Sequence, residues 1–250
     1  ATSGGLTKIG AGTLALSGAN TYTGVTSISA GTLSASNIVV AGGSSNIGNA
    51  ASAVVLGDAS NTGTLSYTGS TGTYTRGFTV NAGGGEVDVT TSGQTLTIGT
   101  GGITAGGALT LGGAGNTSIT SVISSSGSLT KIDAGALSLS GTNTYAGGAT
   151  LTSGTLNLNS TTALGATAGV FAINGGTIDN TSGSAKTNAN GNAITLGNNF
   201  AFSTAGGTVN NNLNLGTGAV TNAGNRTITL NGTSTTLVLG GTMTNTSNAI

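Results

Sequence analysis

GGLTKIGAGTLALSGANTYTGVTSISAGTL occupies residues 4–33, and GSLTKIDAGALSLSGTNTYAGGATLTSGTL occupies residues 127–156. The same 123 positions separate Leu6 from Leu129, Lys8 from Lys131, Leu14 from Leu137 and Leu33 from Leu156. Asn20, Tyr22, Gly24 and Gly31 recur at that spacing as Asn143, Tyr145, Gly147 and Gly154. Within each copy the runs TLALSG and ALSLSG read apolar, small polar, apolar, then Gly. Alternation of period two places one apolar face inward and a hydroxyl face outward, which is a strand pattern. Each run stops at Gly or Asn, residues that accept the left-handed backbone of a sharp turn.

The same form returns in LTIG, ALTLGG, TLNLN, ITLG, LNLG, TITLNG and TLVLGG. Short strands bury little individually. Stacked as coils of a parallel solenoid, they merge their inward faces into one apolar column. The reading is therefore all-β: a parallel β-helix (β-solenoid) with no substantial helix. Coils of roughly 20 residues at about 4.8 Å per coil give about a dozen coils and a rod of roughly 60 Å. The rival is an antiparallel sandwich or barrel, which needs hairpin turns, and Asn-Gly and Asp-Gly signals are scarce. The absence of Pro suits unbroken ladders.

The 250 residues include 48 Gly and no Pro, Cys, His or Trp, and only 4% are charged. Five basic and five acidic side chains cancel. That balance removes the basic clusters needed for nucleic acid or an anionic membrane, so neither is an expected partner. It also removes surface repulsion, which favours self-association. Apolar runs are too short for a membrane helix, so no membrane insertion by this segment is expected. Regular apolar patterning at 36% hydrophobic content argues against disorder. Without Cys there are no disulfides, and without His or Cys neither a transition-metal site nor a Ser–His or Cys–His nucleophile has its usual groups. No cofactor is expected.

The later parts correspond more loosely: GGGEVDV at 83–89 with AGGTVNN at 205–211, and QTLTIG at 94–99 with RTITLNG at 226–232. The organisation read from this is one continuous solenoid of two units, 1–123 and 124–250, cut from a longer array. The two thirty-residue blocks carry the elements G-x-L-x-K, G-T-L-x-L-S-G, N-T-Y-x-G and G-T-L. With them they resemble the passenger-associated transport repeat of bacterial autotransporter passengers and related large surface proteins. That resemblance implies a right-handed parallel β-helix, export across the outer membrane of a Gram-negative-type cell, and residence at the surface or outside. It implies a stalk more than a reactive site.

Chemistry-bearing positions are few. Glu86 and Asp88 share one side of a strand, the arrangement a glycosidase-type carboxylate pair would need. Against this, their counterpart TVNN has no carboxylate, and a solvated outer face is the expected role. Lys8 and Lys131 are expected to be exposed and to discourage strand mispairing, with Asp133 neutralising Lys131. Asn20 and Asn143 are expected to cap a turn and join a ladder between coils, with Tyr22 and Tyr145 packed over that turn. GDASNTG and GGAGNTS lack the Asp spacing of a calcium coil. Three functions follow. The first is a non-catalytic structural stalk, fibre or sheath that associates with itself. The second is an adhesive module whose Thr/Ser/Asn faces meet glycans, other cells or ice. The third is a polysaccharide-acting enzyme.

Overall fold

The computed structural model describes residues 3–38, 45–203, 211–232 and 235–246. Among these residues there is no helix, and every strand-to-strand pairing is parallel. An isolated antiparallel bridge joins Asn20 to Ser45. The chain is a solenoid. A long sheet of eleven strands runs from Thr13–Leu16 to Met243–Asn245, each strand hydrogen-bonded to the one a coil later. A first face of six strands runs from Leu6–Lys8 to Ile123–Ser124, and a third face of eight runs from Gly72–Tyr74 to Ile228–Leu230. A short sheet of Lys186–Thr187, Leu213–Asn214 and Leu237–Val238 follows the third face in the later coils, where the first face stood earlier.

Eleven strands in the long sheet make ten coil steps, slightly fewer than a dozen. The reason is coil length. A coil takes 19 residues where Thr13 pairs with Thr32, but 32 where Gly31 pairs with Gly63, because the chain makes an excursion after Ala35.

Alternation sets what lies inside. Down the long sheet, Leu14, Leu33, Leu65, Val87, Leu111, Lys131, Leu151, Ile173 and Leu196 stack in one inward column. Leu96, Thr117, Leu137, Leu156, Ile178 and Phe202 do the same on the third face. Seven of the eight aromatic side chains are buried, Tyr22 being the exception. Coils approach closely enough that a methyl group does not fit at several glycines. A Cβ on Gly63 would lie 1.7 Å from the Ile28 carbonyl oxygen.

The two near-identical blocks do not sit above one another. In the first, Leu6–Lys8 lies on the first face and Thr13–Leu16 on the long sheet. In the second, Leu129–Lys131 lies on the long sheet and Ala136–Leu139 on the third face. The 123-residue spacing thus equals five coils plus one face, so the copies share local geometry but point in different directions. The looser correspondence behaves otherwise: Thr95–Ile98 and Ile228–Leu230 are both third-face strands. Most of the AGGTVNN segment lies outside the described residues.

Adjacent positions of one strand report this inside/outside rule. Leu65→Ala should cost about 2–5 kcal/mol and Thr64→Ala less than about 1 kcal/mol, read from urea unfolding midpoints. Equal losses at both positions would contradict the assigned alternation.

Candidate functional site

Both repeat lysines are buried, which corrects the expectation of exposed, mispairing-blocking side chains. Lys8 pairs with Ile28 and Lys131 stands between Leu111 and Leu151, so both point inward. The stem fills an apolar position, and the ammonium reaches back to a corner made of backbone carbonyls. Lys8 Nζ donates to the oxygens of Ile9 (3.0 Å), Gly10 (2.6 Å) and Ala30 (2.9 Å). Lys131 Nζ donates to those of Ile132 and Asp133, and it lies against Gly154 of the next coil. Desolvation pushes the Lys131 pKa down to about 8, opposed by the nearby Asp133 charge. Lys8 thus supplies donors to three corner carbonyls and Lys131 to two.

Asn143 spans three coils. Its Oδ1 accepts from Ile123 N at 2.9 Å, and its Nδ2 donates to Ala163 O at 3.2 Å. Asn20 donates to Gly18 O and, at 2.6 Å, to Asn46 O. These amides join coils through backbone groups rather than through a row of stacked side chains. Tyr145 is fully buried and donates to Ala163 O at 3.0 Å, whereas Tyr22 is half-buried and meets Thr26 Oγ1. Each ring lies over a left-handed glycine of the following coil, Gly48 (φ 69°) and Gly165 (φ 74°), whose added Cβ would come within 3 Å of it. Gly24 and Gly147 serve close approach of a different kind. A Cβ on Gly24 would be 2.5 Å from Gly5 N, and one on Gly147 2.6 Å from Ser128 N. Leu137 is buried, while Leu14, in an outermost coil, is partly exposed.

The outer side of the long sheet carries the most regular surface. Thr13, Thr32, Thr64, Glu86, Thr110, Thr130, Thr150, Ala172, Thr195, Thr221 and Thr244 are register partners in unbroken succession. Nine of these eleven positions are threonine, spaced by the strand separation of about 4.8 Å. Glu86 interrupts the row and accepts a hydrogen bond from Thr64 Oγ1 at 3.2 Å. Asp88 lies in the adjacent column after Ser34 and Ser66. With Asp133 it lines a shallow groove together with Thr90, Gly113 and Ala134. Burial raises the Glu86 pKa against the Thr64 hydrogen bond, with the Asp88 and Asp133 charges adding to the rise. Asp88 is raised by burial and by Asp133. Asp133 adopts φ 61° and accepts from Gly113 N at 3.0 Å. Glu86 and Asp88 are therefore half-buried rather than fully solvated. Among the described residues no group of acidic side chains is arranged to hold a metal ion.

The profile of the passenger-associated transport repeat matches residues 6–35 and 129–158. The chain carries this repeat twice. Among curated proteins it is similar to the adhesin BmaC autotransporter of Brucella suis biovar 1 (strain 1330), 41% identical over 115 residues. The match covers 40% of this chain and 3% of that protein, so the chain spans a small fraction of that relative. No solved structure matches.

In both transport repeats the Lys, Asn, Tyr and Gly positions serve corners and contacts between coils. Sequence reading missed Gly48 and Gly165, which lie outside the repeat blocks; each is marked only by the buried aliphatic residue before it, Ile47 or Leu164, one coil beyond the Tyr. It also missed the threonine row, broken only at Glu86 and Ala172, because coil length varies and the register is invisible along the chain.

Two measurements follow. Unfolded Lys131 holds its proton up to about the ordinary value of 10.5, while the folded group releases it near 8. Stability should therefore rise with pH above about 8, by about 1–2 kcal/mol at pH of about 9.5. Lys131→Met should abolish that rise in urea midpoints. Glu86→Thr, which makes the row continuous from Thr13 to Thr150, should stabilise the chain at neutral pH by less than about 1 kcal/mol. Because the folded pKa of Glu86 is raised, that gain should fade as acid protonates the wild-type carboxyl.

Proposed function

We propose that this chain is part of the non-catalytic shaft of an exported, surface-exposed or released adhesin-type passenger, and that its long sheet is the adhesive face. The observation that carries this reading is the threonine row. It presents hydroxyls at one regular spacing along a rigid face, each able to donate and accept. Such a row suits weak, repeated hydrogen bonding to an extended hydroxylated surface such as cell-surface polysaccharide, where many contacts act together. The repeat and the likeness to an autotransporter adhesin support export and a surface setting. Burial of seven of the eight aromatic rings leaves little platform for stacking a sugar in a closed cleft. That favours a flat, multivalent surface over a polysaccharide-cleaving site at Glu86 and Asp88.

Self-association is the companion reading, supported by a surface with only 4% charged residues. In the same proposal the two 123-residue units are part of a longer array, whose rod length scales with the number of coils.

The test is binding of the purified chain to immobilised bacterial and host polysaccharides and to cells. Wild type should bind saturably. Thr110→Lys, Thr130→Lys and Thr150→Lys combined should weaken binding at least tenfold while leaving the circular dichroism spectrum unchanged. Retained binding in the triple variant would remove the long sheet as the adhesive face. Absence of binding by wild type, together with growth of sedimenting rods with concentration, would favour a purely structural shaft.

A further inference from the structure

Inside the solenoid, Arg76 is a buried charge without a carboxylate. It follows the third-face strand Gly72–Tyr74 and is 6% exposed. Its Nε donates to Ser52 O at 3.0 Å, and its Nη1 donates to Ile47 O at 3.3 Å and Gly48 O at 3.2 Å. These bonds tie the excursion of one coil to the coil that follows. They leave Nη2 buried with no hydrogen-bond partner.

A guanidinium keeps its proton in a protein, so the positive charge persists. All five Asp and Glu residues are described, and none bonds to it. Asp58 turns to Ser60 and Asn61, and Glu86, Asp88 and Asp133 lie on the outer side of the long sheet. Asp179 is five strands further along the third face.

Tyr74, two residues before Arg76, is fully buried; the Val54 backbone N–H faces its hydroxyl oxygen, and its O–H finds no acceptor. Burial holds its proton in place, and the Arg76 charge acts on it from nearby. Two buried donors without acceptors and one positive charge without a carboxylate therefore fall within three consecutive residues.

We propose that the interior at Arg76 binds one small monovalent anion, of which chloride is the abundant example, between Nη2 and the Tyr74 hydroxyl. An anion accepts from both donors and balances the charge in one step. A water molecule satisfies the donors but not the charge. The orphan Asn49 Oδ1, next in sequence to the Gly48 that Arg76 bonds, is an acceptor, suited to a water and not to the anion. The site would lock the root of the excursion to the solenoid body, linking anion binding to stability.

Crystals grown in sodium bromide, with data at the bromine edge, give the direct test. An anomalous peak within hydrogen-bond distance of Arg76 Nη2 is expected. In solution, the thermal midpoint should rise with sodium chloride and not with sodium gluconate at equal ionic strength. Tyr74→Phe keeps the ring and removes the hydroxyl, and should raise the chloride concentration for half the effect about tenfold. Only water at Arg76, bromide only at surface positions, or equal midpoints in chloride and gluconate would overturn the proposal. Bromide at Arg76 with an unchanged Tyr74→Phe response would overturn the tyrosine contact.

Discussion

The parallel ladder between successive coils is the constraint on which the rest depends. Main-chain hydrogen bonds fix the axial step, so whatever residue occupies one strand must be compatible with the residues directly above and below it. Leu33 rests between Leu14 and Leu65, and Phe171 between Ala149 and Ile194. Outside, the same rule turns scattered threonines into a row. Variation in coil length is absorbed at the corners, where the 32-residue coil after Gly31 leaves the ladder and returns without disturbing its register.

Corners carry the polar cost of this arrangement. Turning a strand exposes carbonyls that the ladder no longer uses, and a buried carbonyl without a donor is unfavourable. The chain answers with long cationic side chains from inward positions: Lys8 and Lys131 in the transport repeats and Arg76 beside the excursion. Asn143 answers the same need by accepting from one coil and donating to another. Three of the five basic residues therefore serve the interior, while Glu86 and Asp88 stay on the outer side with raised pKa and Asp133 beside them at φ 61°. A neutral formal charge conceals an uneven distribution.

Much of the architecture was legible in the sequence, because period-two runs such as TLALSG and ALSLSG report both strand and facing. The parallel solenoid follows from their uninterrupted repetition. Other features depend on register, which the linear sequence does not display. Lys131 looks like a surface residue until it is seen between Leu111 and Leu151. Thr130 and Thr7 hold the same place in their repeats, yet the first joins the long sheet's row and the second lies on another face. The identical spacing of the two blocks hides this rotation, since 123 residues correspond to five coils and one face. Glu86 and Asp88 were visible as a pair, but Asp133, which approaches from a later coil, was not grouped with them.

Distances along the threonine row test the stacked-coil account most directly. The chain has no cysteine, so spin labels can be placed without background. Thr32 and Thr150 are five coil steps apart, and Thr32 and Thr195 are seven. Pulsed dipolar spectroscopy on Thr32→Cys/Thr150→Cys and Thr32→Cys/Thr195→Cys should give narrow distributions near ~24 Å and ~34 Å, two more coils adding about 10 Å. Distances that fail to grow with coil number, or a second label that folds back towards the first, would contradict it.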